Sequence, residues 1–176
     1  MGMKPEDEKT LTIAWRTKKN LDYIYRKKDE GEDVQEFTQL LNSMLGMVIS
    51  LREDYYKATC ISWDQVVLPK GFDPKNIAGK EANKNSPKLK KLHSFSQLVT
   101  KLRHAFAHNC FSLEIDKADK ITGVTIWNIP LRQANRPENR VWEADITESD
   151  LKSLANLVVE HIQKKIGGQS SIQKTA

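Results

Sequence analysis

Cysteine is scarce in this 176-residue chain, with only Cys60 and Cys110. The pair has no CxxC spacing, which predicts free thiols in a reducing cytoplasm rather than a disulfide framework. No apolar run is long enough for a membrane span, so no membrane contact is expected. The first ten residues are polar and acidic and lack the pattern of a secretory signal. No internal repeat is present, which excludes solenoid architectures. What remains is 39% apolar and 29% charged residues, the composition of a soluble globular protein. The length suits one domain with a core that needs no staples.

The net charge of +5 is unevenly spread. Residues 1–60 hold ten Lys/Arg against eleven Asp/Glu, and residues 110–176 hold nine against nine. Residues 61–109 hold nine against three, so the whole surplus lies there. A surplus concentrated in one segment favours a polyanion near that segment. A lysine-rich solvated loop would give the same count.

Hydrophobic spacing organises the chain. Leu11, Ala14, Leu21, Ile24 and Tyr25 form one stripe of a first helix over about residues 6–28. Arg16, Thr17 and Asn20 lie near that stripe, and Gly31 suits a left-handed stop. A second helix is expected from Asp33, with Glu36 as its capping-box partner. Its apolar face is Val34, Phe37, Leu40, Leu41, Met44, Leu45 and Val48. Gly46 in its middle suggests a close approach to another helix. The helix is open to continuing as far as Tyr56.

Periodicity is lost over residues 60–92, a long basic connection read as partly ordered and near the site. Val66-Val67-Leu68 is a candidate short strand there. A third helix is expected from Ser94, boxed by Gln97, with a core stripe of Phe95, Leu98, Leu102, Ala105 and Phe106. The period then becomes two over 111–116 and 122–127, a β-hairpin turning at 117–120. Residues 140–145 suggest a further strand. Thr147 caps a last helix with Asp150 three residues on, and Gly167-Gly168 are expected to stop it. Residues 169–176 are read as a disordered tail.

The chemistry concentrates at Leu102-Arg103-His104-Ala105-Phe106-Ala107-His108-Asn109. Four polar groups on about two turns at the end of a core helix are not what a fully buried helix needs. Arginine is a permanent cation whose fork matches phosphate, and histidine can take and give a proton near neutral pH. Together they point to chemistry or binding at a phosphodiester. The four tryptophans, Trp15, Trp63, Trp127 and Trp142, read as core or interface aromatics rather than base-stacking platforms.

Arg103 to His108 is an Arg-x4-His pattern near the end of a core helix, with polar His104 after the arginine and Ala105-Phe106-Ala107 inside. In this it resembles the HEPN superfamily. Residues 16–21 and 40–46 also resemble a group of bacterial HEPN nucleases, so the likeness covers about the first three helices. The resemblance implies a mainly α, HEPN-like helical bundle over residues 1–168, with a β-hairpin insertion at 111–145 before the C-terminal helix. It implies a homodimer whose two motifs meet in one cleft and cut RNA without metal or other cofactor. The ribose 2′-OH would be the nucleophile. His108 would act as base or acid, Arg103 would hold the phosphate, and His104 would orient groups or share the proton. Lys101, Asn109, Arg16 and Asn42 are the expected substrate contacts. Bacterial toxin or anti-phage defence, with a cognate antitoxin, is the biological setting implied. Some HEPN toxins carry a modifiable tyrosine two residues after the motif histidine. Here that position is Cys110, so control by that route is not expected.

Three other readings stay open. A HEPN domain without catalysis could bind RNA or a protein partner. His104 and His108 have metal-ligand spacing, although no Glu lies between them and His93 or His161 would have to approach. A purely structural role would pair Arg103 with an acid and satisfy the histidines by hydrogen bonds.

Overall fold

The computed structural model describes residues 5–50, 61–69 and 72–171. The first helix, α1, is Pro5–Asp29 and the second, α2, is Glu36–Ser50. A 3-10 turn at Trp63–Gln65 and a one-turn helix, α3, at Pro74–Ile77 follow. The site helix, α4, is Phe95–Ala107. Strands β1 Phe111–Ile115, β2 Ile121–Asn128 and β3 Trp142–Thr147 precede α5, Glu148–Ser171. The protein is therefore mainly helical with one small antiparallel sheet. No described helix is long and apolar enough to cross a membrane.

The chain falls into two compact units. One comprises residues 1–51 and 152–176, the other residues 52–151. In the first, α1 packs on α2. Ala14, Leu21 and Tyr25 bury the expected stripe of α1 against an α2 face of Phe37, Leu40, Leu41, Met44, Met47 and Val48. Each large aliphatic side chain buried this way stabilises the fold by roughly 1.5–3 kcal/mol. Gly31 ends α1 in the left-handed conformation, φ 86°. Its N–H donates to Lys28 O and the Glu32 N–H to Lys27 O, which closes the last turn. The ammonium of Lys152, on α5, lies 3.5 Å from the centre of the Tyr25 ring.

Several local expectations for this unit are corrected. Helix α2 starts at Glu36, not Asp33, because Gln35 O accepts the first helical N–H from Gln39. Glu36 is turned to an ion pair with Lys28, 2.5 Å away. Gly46 is no close-approach residue: it is exposed, and a Cβ there would meet nothing within 4 Å. Ser43 is buried and takes a bond from Gln39 Nε2 at 3.3 Å. Trp15 is 51% exposed, so the core half of its core-or-interface reading fails; exposed Arg16 and Asn20 agree with their reading as polar residues beside the stripe. Helix α5 runs through Gly167-Gly168 to Ser171, since glycine weakens a helix by only about 1 kcal/mol without forbidding it. The tail expected from 169 thus loses its first three residues. Residues 172–176, Cys60 and any continuation of α2 past 50 lie outside the described residues.

In the second unit the sheet order is β1-β2-β3. Val124 pairs with Ile146, Ile126 with Ala144 and Asn128 with Trp142, which puts these six on one buried face. Helix α4 packs on β2, with Phe106 edge-on to Phe111. The opposite face carries Glu114, Thr125, Glu143 and Asp145. Thr147 ends β3 and also caps α5: its Oγ accepts from Asp150 N at 3.2 Å and donates to the Asp150 carboxylate. Trp142 is fully buried. Trp127 is 8% exposed, lies under the Arg140 guanidinium at 4.3 Å and donates to Asn135 Oδ1. Trp127 therefore packs and offers no platform for a base.

The basic connection is strapped to the sheet rather than loose over residues 72–92. Lys80 N donates to Glu143 O at 2.7 Å, Lys90 N to Val141 O at 3.1 Å and Leu92 N to Ala78 O at 2.8 Å. Ser86 Oγ donates to Pro137 O. Gly79 sits at φ 107°, and a Cβ there would fall 2.6 Å from the Trp142 indole nitrogen. Val66-Val67-Leu68 form no strand. The only bridge nearby joins Ser62 to Ser94, among the described residues.

Candidate functional site

Helix α4 is fixed at both ends. Ser94 caps it, its Oγ accepting from Gln97 N at 3.2 Å. The Gln97 side chain returns to His93 N at 2.8 Å, one residue earlier than the expected box. Ile61 and Ser96 exchange two bonds, Ile61 N to Ser96 Oγ at 2.9 Å and Ser96 N to Ile61 O at 3.3 Å. At the far end Asn109 is left-handed, φ 52°. The Cys110 N–H donates to Ala105 O at 2.8 Å and the Asn109 N–H to Phe106 O at 3.2 Å. This is the closing pattern that Gly31 gives α1, with asparagine in the glycine position. Asn109 thus terminates the helix.

His108 is the last capping residue of α4 and is exposed. Its carbonyl accepts from Cys110 Sγ at 3.6 Å. Cys110 is a free, buried thiol, and burial pushes its pKa up against the opposing pull of Arg140. Arg103 is half-buried and His104 exposed. An α-helix turns about 100° per residue, which separates Arg103 and His108 by roughly 140° and leaves His104 between them. The two polar ends of the motif therefore flank the exposed arc of α4, on either side of the buried Leu98–Leu102–Phe106 stripe.

Lys101, one turn before Ala105, is half-buried. Its carbonyl accepts from Asn128 Nδ2 at 2.9 Å, and burial lowers the pKa of its ammonium. Asn128 is buried on β2, and nothing in the sequence marked it as a support for α4. Lys101, Arg103, His104, His108 and Asn109 thus stand together on one helix end in the second unit. Arg16 and Asn42 are exposed on α1 and α2, in the first unit. No group of three or more His, Cys, Asp or Glu side chains is placed to hold a metal ion among the described residues.

A mainly helical protein in which a helix packed on β2 ends in an arginine, two histidines and an asparagine is a candidate for phosphodiester chemistry. A family described as HEPN pEK499 p136 matches residues 1–169, and the chain belongs to that family. The match confirms the HEPN membership read from the motif. HEPN domains carry a general association with RNase or nucleotide-related function. No curated protein and no solved structure matches the chain.

Proposed function

We propose that the protein is a metal-independent endoribonuclease of HEPN type, acting as a homodimer. The observation that carries this reading is the set Arg103, His104 and His108 at the end of α4 in a chain matched by a HEPN family over residues 1–169. His108, exposed at the helix cap, removes the proton from a ribose 2′-OH. The 2′-oxygen attacks the adjacent phosphorus, and the bond from phosphorus to the 5′-oxygen breaks. The leaving 5′-oxygen takes a proton from a second histidine, either His104 or a histidine of the other copy. Arg103 holds the non-bridging oxygens and stabilises their growing charge. The products are a 2′,3′-cyclic phosphate and a 5′-hydroxyl, and dependence on the 2′-OH restricts the reaction to RNA.

The angular separation of Arg103 and His108 on one helix supports a cleft completed by a second copy. The family match runs through both units, which supports residues 1–168 as a single HEPN-like bundle with the 111–145 insertion. Lys101 and Asn109 on α4 are proposed substrate contacts of the second unit. Arg16 and Asn42 are proposed RNA contacts of the first unit taken by itself. Toxin or anti-phage activity in the cytoplasm, restrained by an antitoxin, is the setting proposed from the family.

RNA cleavage in EDTA tests the reading, with wild type compared against His108→Ala at matched folding. Cyclic-phosphate ends from wild type alone are expected. Equal cleavage by both proteins overturns the assignment of His108. No cleavage by either moves the reading to a HEPN domain that only binds RNA.

A further inference from the structure

A cavity of about 620 Å³ opens beside the first half of α4, wholly within the second unit. Its polar lining is Lys88, Lys90, Lys91, His93, Gln97 and Lys101, and among the described residues no carboxylate lines it. The walls are already fixed: Lys90 N is held by Val141 O, His93 N by Gln97 Oε1, and the Lys101 carbonyl by Asn128. Two of the four ammonium groups are partly occupied. Lys91 pairs with Glu81 at 2.8 Å, and Lys88 reaches Asn139 Oδ1 at 3.2 Å. Lys90 and Lys101 have no hydrogen-bond or ion-pair partner for their ammonium groups among the described residues. A half-buried ammonium without a counter-charge, beside three others, is costly, and an anion relieves both the desolvation and the mutual repulsion. The volume lies in the range of small-ligand sites.

The cavity opens on the face of α4 that also bears the two motif histidines. Gln97, Lys101, His104 and His108 are four, three and four residues apart, which puts them on one face of α4. Lys101 precedes His108 by about 10 Å along the axis. We propose that this cavity is a phosphate subsite for a single RNA strand, where Lys90 and Lys101 hold a backbone phosphate away from the scissile bond and Gln97 adds a neutral donor. The proposal deepens the nuclease reading and rests on it for the identity of the strand. A free nucleotide offers the same phosphate chemistry, but the alignment with His104 and His108 favours a strand that runs on past the cavity.

The test is binding of a labelled single-stranded RNA oligonucleotide by anisotropy, over a range of salt, in a His108→Ala background that cannot cut. Lys101→Met and Lys90→Gln are added singly, with Lys117→Gln in the hairpin turn as control. Lys90 is exposed, so its variant stays informative if Lys101→Met folds poorly. Each cavity variant is expected to weaken binding about five- to tenfold and to lower the salt slope by about 0.7, while the control does neither. Unchanged RNA affinity in both variants overturns the proposal, even if wild type cleaves RNA. Weakened affinity with a wild type that cuts no RNA supports the subsite and removes the nuclease reading instead. Adenosine monophosphate and inorganic phosphate serve as competitors. Binding of the mononucleotide that both variants abolish, with RNA affinity intact, makes the cavity a nucleotide site and overturns the strand.

Discussion

Single side chains in the second unit are tuned by what buries them. Cys110 is 3% exposed with its pKa pushed up, so its thiolate is scarce at neutral pH. In a Cys60→Ser background, iodoacetamide should modify Cys110 at least about tenfold more slowly in the native protein than in urea. Equal rates would mean that the thiol is open. Glu143 shows the opposite balance. Burial works to raise its pKa, but bonds from Lys80 and Arg140, both 2.7 Å away, outweigh burial and lower it. A lowered carboxylate pKa contributes stability above the ordinary range near 4.5, and that contribution is lost as the pH falls through the lowered value. Glu143→Gln should cost about 1–3 kcal/mol at neutral pH and flatten the loss of stability on acidification, read by urea unfolding across pH. An unchanged acid slope would remove Glu143 from the linkage.

Elements held by local rules were legible in the sequence; elements held by distant partners were not. The stripes of α1, α2 and α4 follow the helical period, and the hairpin follows the alternation on either side of residues 117–120. Ser94, Thr147, Gly31 and Asn109 mark ends by chemistry that acts within a few residues. Residues 72–92 carry no such pattern. Their order comes from main-chain bonds to residues 141–143, more than fifty positions away, and no period in the sequence announces those. The lysines were visible as a charge surplus, but Val141, the backbone clasp for Lys90, gave no signal. Gly79 is where this strap is most exposed to substitution. Gly79→Ala should lower stability by about 2 kcal/mol or more, from backbone strain and the clash with Trp142, and blunt the buried-tryptophan fluorescence change on unfolding. Wild-type stability in that variant would show that the segment can shift away from β3 without loss.

For the whole molecule the proposed chemistry makes a statement about number. One chain presents Arg103 and His108 on opposite flanks of a helix, so two copies are expected to complete each cleft. Sedimentation at micromolar concentration should give twice the chain mass of 20.2 kDa. Co-expressed Arg103→Ala and His108→Ala chains should recover part of the cleavage that each lacks alone. A monomer that cuts RNA would remove the composite cleft while leaving the residues in place.

The division of the chain also sets an order of events at birth. Residues 52–151, which carry α4 and the sheet, are one uninterrupted stretch and leave the ribosome complete. The other unit joins residues 1–51 to residues from 152 onward, so it must wait for the last helix and close a loop of about a hundred residues, at a higher entropic cost. Pulsed hydrogen exchange during refolding should protect the amides of 95–107 before those of 10–29, and the reverse order would refute the sequence of events. The helix that bears the arginine and the histidines is thus finished early, while α1 and α2 wait for α5.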